Sequence, residues 1–235
     1  MRESGKRYLI VGSSGGGKTT VSKLIAEMHN RIAAFDVKEE WSLMPGFNPV
    51  EAKKQLFDSM RESEGGLKIA YPQLSPEEFN FFCECAFNWN RQAEALIIAE
   101  ELAMVTGSAK AKQAWLRMVT QIRAYGGVLL AIAQRTQEID KTIINNVTGV
   151  FLFMQGTDDD AAAAAKKFGI SFEDVPRKEF EFVFIVPGKG VVIRDGRTVV
   201  DKRTGKISLR GKKPGESRSV SLKLQKDGTF KGVQY

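Results

Sequence analysis

The chain has 235 residues, 43% of them hydrophobic, with a net charge of +7, which suits one α/β-sized domain with an appendage. One histidine and two cysteines exclude a zinc site and a serine–histidine–aspartate hydrolase, and Cys83 and Cys85, two apart on a helical pattern, point in different directions, as expected of a reduced, cytosolic protein. No apolar run reaches the roughly 18 residues of a membrane-spanning helix, and Met1-Arg2-Glu3-Ser4-Gly5 does not read as a signal peptide.

The first organised stretch runs from Arg7 to Asn30. An apolar strand (Tyr8, Leu9, Ile10, Val11) leads into a glycine-rich loop and then a helix with Val21, Leu24, Ile25 and Met28 on one face. The loop Gly12-Ser13-Ser14-Gly15-Gly16-Gly17-Lys18-Thr19 matches the phosphate-binding pattern G-x-x-x-x-G-K-[ST] at every fixed position. Its glycines allow a tight turn whose successive N–H groups form a nest for phosphate oxygens, and the helix adds the positive end of its dipole. Lys18 supplies charge to the β- and γ-phosphates of ATP, the Thr19 hydroxyl is the expected Mg²⁺ ligand, and Thr20 closes the nucleotide-binding segment. A flexible glycine linker is the alternative, and the strand and helix on either side argue against it. His29 reads as a surface residue.

Arg31–Val37 reads as a second strand. Pro45-Gly46 and Asn48-Pro49 break the chain, and Pro49 is expected to open a helix through about Arg61. After a turn at Glu62–Gly66 comes a short strand, Leu67–Tyr71. Ser75-Pro76-Glu77-Glu78 is a capping box with proline at the first helical position, and Phe79, Phe82, Ala86, Phe87 and Trp89 of the following helix read as core. Ala95–Ala99 is an apolar strand ending in Glu100-Glu101. In open α/β sheets the active site lies beyond the carboxyl ends of the strands, so these acids are the expected partners of the phosphate loop; an acid pair capping the next helix is the alternative.

Lys110–Tyr125 is a predicted helix with Trp115, Met118, Val119 and Ile122 on one face and Gly126 as its stop. Gly127–Ala133 is a buried-type strand ending in Gln134-Arg135. A short helix (Glu138–Asn145), a strand (Val150–Met154), an alanine-rich helix from Asp158 to Gly169 and a strand with one half-buried face (Phe180–Val186) follow. From Pro187 glycine turns at Gly188-Lys189-Gly190, Asp195-Gly196, Thr204-Gly205, Pro214-Gly215 and Asp227-Gly228 punctuate short β-like runs. Residues 188–235 carry 13 Lys and Arg against 4 Asp and Glu, the remainder 22 against 24. A near-neutral core over residues 1–187 thus carries a basic, β-rich extension over 188–235, suited to nucleic acid or another polyanion, or simply a solvated basic surface.

Four segments, Gly12–Thr19, Phe35–Trp41 (FDVKEEW), Leu96–Leu102 (LIIAEEL) and Arg123–Asn146, together resemble the FtsK–HerA superfamily of DNA-pumping ATPases. Within it the chain looks most like the genome-packaging ATPases of tailless icosahedral viruses with an internal membrane. The run R-x-x-G, apolar strand, Q-R-x-x-x-[IV]-[DP] is its most specific part, and the likeness covers roughly Lys6 to Pro187. It implies a RecA-like P-loop NTPase core, with a mainly parallel central sheet flanked by helices, that hydrolyses ATP with Mg²⁺ and translocates double-stranded DNA into a procapsid. It further implies a homo-oligomeric ring, a hexamer, that meets capsid or portal-vertex proteins in the host cytoplasm or virion. By the same resemblance Glu100 holds the metal through water, Glu101 orients or deprotonates the attacking water, Gln134 senses the γ-phosphate, and Arg123 reaches a neighbouring subunit's nucleotide, with Arg135 as the substitute candidate. Asp36 matches a family acid without a fixed role. Glu100 stands where the family usually has aspartate, one methylene shorter, which leaves a swap of roles between the two acids open. An arginine in a last helical turn is also favoured by the helix dipole alone. Other motors of the superfamily serve filament assembly, secretion or DNA transfer. Outside it, a P-loop kinase would need an acceptor pocket and an arginine-rich lid, for which no segment is found, and a nucleotide-binding switch would act without DNA.

Overall fold

The strands with the longest apolar runs are buried on both faces, as in sheets covered by helices on either side: every residue of Val128–Ala133 and Gly149–Phe153 is buried. The structure, a computed structural model, describes residues 5–106, 113–201, 203–204 and 206–233. Met1–Ser4, the first residues of the helix expected from Lys110, and Gly205 of the expected Thr204-Gly205 turn lie outside the described residues. In chain order the elements are β1 (Lys6–Val11), α1 (Lys18–Ala26), β2 (Ile32–Phe35), β3 (Asn48–Pro49), α2 (Lys53–Glu62), β4 (Lys68–Tyr71), α3 (Pro76–Gln92), β5 (Leu96–Ala99), α4 (Leu102–Thr106), α5 (Gln113–Gln121), β6 (Val128–Ala133), α6 (Lys141–Ile144), β7 (Gly149–Phe153), α7 (Asp158–Phe168), β8 (Glu181–Val186), β9 (Gly190–Val200), β10 (Ile207–Lys212) and β11 (Val220–Leu222). The strand order is β11-β10-β9-β8-β7-β1-β6-β5-β2-β4-β3. Strands β2 to β6 pair in parallel, as do β1 and β7, whereas β7 to β11 pair antiparallel in succession. The fold is therefore α/β with a mixed, mostly parallel sheet and helices on its faces.

The chain divides into two compact units. The first comprises Met1–Arg7, His29–Ile132 and Glu138–Asn146. Its aromatic core gathers Phe35 against Phe79 (ring centroids 5.0 Å apart), and Phe79 against Trp115 (5.3 Å). The Ser75 hydroxyl accepts from Glu78 N at 3.1 Å, so the predicted cap forms. Pro49 opens no helix: Asn48–Pro49 runs beside Ile69 and Ala70 at the sheet edge, where proline's missing amide costs no ladder bond, and α2 begins at Lys53. The helix expected from Glu138 starts at Lys141 because Asp140 caps it, its Oδ1 accepting from Thr142 N and Ile143 N at 2.8 and 3.2 Å while its Oδ2 accepts from Trp115 Nε1 at 2.9 Å. His29, read as surface, is buried at 6% exposure. Cys83 and Cys85 are free and buried.

The second unit comprises Tyr8–Met28, Ala133–Gln137 and Val147–Tyr235. Strand β8 has no half-exposed face: Phe182, Val183, Phe184 and Ile185 are all buried. Phe230, from beyond β11, lies over it, stacked with Phe182 at 6.4 Å and edge-on to Phe184 at 5.3 Å. Asp195-Gly196, expected as a turn, is a bulge inside an 11-residue strand. Asp195 has φ +50°, and the pairing with β8 slips between Phe182↔Gly196 and Phe184↔Ile193. A Cβ on Gly196 would lie 2.6 Å from the Phe182 carbonyl oxygen, so the extra residue of the bulge is accommodated only because glycine follows it.

Candidate nucleotide-binding site

In the second unit the phosphate loop joins the end of β1 to α1. Gly12 N donates to the Ala133 carbonyl at 3.3 Å, and Ser13 N to the Met154 carbonyl at 2.8 Å, so the loop is tied to the carboxyl ends of β6 and β7. Gly17 has φ +106°, and a Cβ there would come within 3.2 Å of both the Phe153 and Phe180 rings. The conformation demands glycine, and an added methyl group would crowd both rings. The Lys18 ammonium is buried, donating to the Gly12 and Ser13 carbonyls at 2.6 and 2.8 Å. Gly17 caps α1 without a side-chain hydrogen bond, and no acid occupies the first turn. Backbone amides without a side-chain cap beside a buried cation fit a phosphate group. Ser14 and Gly15 are exposed at the loop tip, Gly16 is buried, and Thr19 and Thr20 are half-buried.

Gln134 follows β6 directly and is half-buried. Beside it Thr136 Oγ1 donates to Gln155 Oε1 at 3.3 Å, and Arg135 pairs with Asp160, Nε to Oδ1 3.5 Å. The substitute arginine is thus engaged within its own chain.

In the first unit Glu100 and Glu101 follow β5 immediately. Both are buried; Glu100 bonds Trp41 and Glu101 pairs with Lys38. Trp41 Nε1 donates to Glu100 Oε1 at 2.8 Å, while Glu100 Oε2 is buried with no hydrogen-bond partner among the described residues. Burial pushes the Glu100 carboxyl up to about 7; the indole N–H opposes this, Asp36 and Glu40 add to it, and Lys38 lowers it. A buried carboxylate oxygen left over in this way fits a divalent cation or a water bound to one. Asp36 orders the same corner, its Oδ1 accepting from Trp41 N at 3.1 Å and its Oδ2 from Ser42 N and Ser42 Oγ at 2.7 and 2.6 Å. Glu101 has φ +45° and ion-pairs with Lys38. Such a conformation in a glutamate is strained.

Arg123 lies in a 3₁₀ turn, Ile122–Tyr125, at the opposite end of β6 from Gln134, with its side chain exposed. Its carbonyl accepts from Gly5 N at 3.0 Å and Gly126 N at 3.2 Å. Sequence reasoning had no role for Lys38 or for the Trp41 indole. Both lie in the FDVKEEW segment, which was the available signal.

No family model matches the chain. Its sequence is similar to Protein P9 of Pseudoalteromonas phage PM2, 27% identical over 207 residues, which is 84% of this chain and 89% of that protein. Its structure is similar to that of the genome packaging NTPase B204 from Sulfolobus turreted icosahedral virus 2 in complex with AMPPCP, with a TM-score of 0.62 at 13% identity, covering 87% of this chain and 96% of that one. It is also similar to EssC (ATPases 2 and 3) from Geobacillus thermodenitrificans, with a TM-score of 0.51 at 11% identity, covering 79% of this chain and 38% of that one. The resemblance drawn from the sequence therefore extends to the fold, that of a P-loop NTPase. No helix among the described residues is long and apolar enough to cross a membrane.

Proposed function

We propose that this chain is a viral genome-packaging ATPase that couples ATP hydrolysis to the translocation of double-stranded DNA into a procapsid. The observation that carries the reading is the phosphate loop with its buried Lys18, set on a fold shared with a genome packaging NTPase. The backbone amides from Ser13 to Thr20 cradle the phosphates, and Lys18 leaves its loop carbonyls to meet the β- and γ-phosphates. Mg²⁺, held by Thr19 and through water by Glu100, would polarise the phosphoryl oxygens. Glu101 orients the attacking water and Gln134 reports the γ-phosphate. Arg123, exposed on its turn, serves a neighbouring subunit in a hexameric ring, since a head-to-tail contact that closes is what lets one chain complete another's site. Residues 1–187 carry the ATPase and 188–235 the basic extension. The protein works in the host cytoplasm and at the packaging vertex, against capsid or portal proteins.

The test is ATP turnover measured with double-stranded DNA, with small phosphate acceptors, and with neither. Turnover should rise with DNA alone. Lys18→Ala should lower it by about 10²-fold or more. Stimulation by a small acceptor, with none by DNA, would put the protein among the kinases.

A further inference from the structure

Phe180 lies against the phosphate loop in a conformation that phenylalanine seldom adopts. Its φ is +62°, in the left-handed region that excludes most bulky residues. It is the third residue of a turn closed by Glu181 N donating to the Lys178 carbonyl at 3.3 Å, a position that glycine or asparagine usually fills. The turn is fixed from both sides: Phe180 N donates to the Gly16 carbonyl, and Thr198 N to the Phe180 carbonyl, each at 3.0 Å. The ring sits where a Cβ on Gly17 would be 3.2 Å from its Cδ1, beside the first residue of α1. Yet it is 45% exposed, whereas the neighbouring rings of Phe153 and Phe182 are fully buried.

Glycine would satisfy this turn without strain, so the backbone gives no reason for phenylalanine, and an exposed ring contributes little to the core. What remains is an aromatic face presented at the rim of a phosphate site. We propose that the Phe180 ring is the platform on which the nucleobase of a bound nucleoside triphosphate stacks. This rests on the reading of Gly12–Thr20 as a nucleotide site and adds the base subsite to it. Stacking recognises a π face and not an edge pattern, so the subsite takes purines in general and favours them over the smaller pyrimidines.

The probes are ATP and inorganic tripolyphosphate, each with Mg²⁺, titrated into the full-length chain and into Phe180→Gly and Phe180→Trp. Phe180→Gly keeps the turn and removes the ring. It should weaken ATP by about tenfold, within the range of a lost base–aromatic stack, and leave tripolyphosphate unchanged. Phe180→Trp should retain ATP affinity, and its added indole fluorescence should respond to ATP but not to tripolyphosphate. If Phe180→Gly binds both probes as the native chain does, or weakens both alike, the stacking role is wrong while the phosphate site stands. If the native chain binds neither probe, the nucleotide reading itself fails.

Discussion

Glu100 carries a cost in the folded chain, because one carboxylate oxygen is bonded to Trp41 and the other is buried with no partner among the described residues. Its carboxyl rises from 4.5 to about 7, chiefly through burial. Below its ordinary value the group is neutral in both folded and unfolded chains and costs nothing. As pH climbs to about 7 the unfolded chain gives up this proton while the folded chain keeps it, so stability falls, and above that the deficit is constant. Glu100→Gln should therefore melt above the native chain at neutral pH, by up to about 3 kcal/mol, with the gap closing as pH falls towards 4.5. Melting curves of both proteins without nucleotide or Mg²⁺ check this, and a gap independent of pH would refute it. The gain in stability should come with lost turnover, the usual trade at a site kept for chemistry. Glu101→Gln should bind ATP yet retain it, slowed about 10²–10⁴-fold; normal hydrolysis there, with ATP trapped by Glu100→Gln, reverses the two acids. Lys18, Thr19 and the acid pair could be singled out because each sits in a short local pattern. The Trp41–Glu100 bond was not, since its ends are 59 positions apart and only tertiary packing joins them. His29 was misread for the same reason: a lone polar residue near a helix end gives no sign of what will pack over it.

At the scale of elements, what the sequence made readable were runs and stops. Apolar runs became strands buried on both faces, and Gly126 and Gly169 end their helices in the left-handed conformation at φ +75° and +64°. What it hid were positions where a turn signal serves another purpose. Pro49 is an edge residue, and Asp195-Gly196 is a bulge inside β9, because Gly-containing dipeptides mark positive φ wherever it is needed and not only between strands. The bulge can be tested. Gly196→Ala would put a methyl group 2.6 Å from the Phe182 carbonyl oxygen and 2.7 Å from its ring, both held by β8. Such overpacking costs about 1–3 kcal/mol, read as a lower midpoint in urea unfolding. Gly65→Ala is the control: nothing among the described residues lies within 4 Å of its added Cβ, and its effect should stay within about 0.5 kcal/mol. Equal midpoints for the two variants would mean that β9 can shift to take the methyl group.

At the scale of the whole molecule, the basic extension is built into the sheet. Strands β9 to β11 continue from β8, and Phe230 packs on Phe151, Phe182 and Phe184. Deleting residues beyond Pro187 would strip part of the core, so the function of the extension is better read from surface charge. Arg197 and Arg210 stand directly opposite each other on β9 and β10, an arrangement that like charges disfavour. Glu181 offsets Arg197 and Asp195 offsets Lys212, but Arg210, Arg218 and Lys223 have no side-chain partner among the described residues. Exposed cations without a side-chain partner suit a polyanion, and DNA backbone is the polyanion that the proposed motor handles. Arg210→Gln, Arg218→Gln and Lys223→Gln combined should weaken double-stranded DNA binding and make it less salt-dependent. The log–log slope should shrink by about 0.9 for each phosphate no longer neutralised. Different base sequences should be affected alike, since phosphate contacts position a protein without reading bases. Stability should hold, because exposed side chains away from core and caps contribute within about 0.5 kcal/mol. The rival is docking on an acidic capsid surface, which is equally salt-sensitive. A triple variant that keeps the native DNA slope and DNA-stimulated turnover but no longer associates with procapsids would assign the extension to docking.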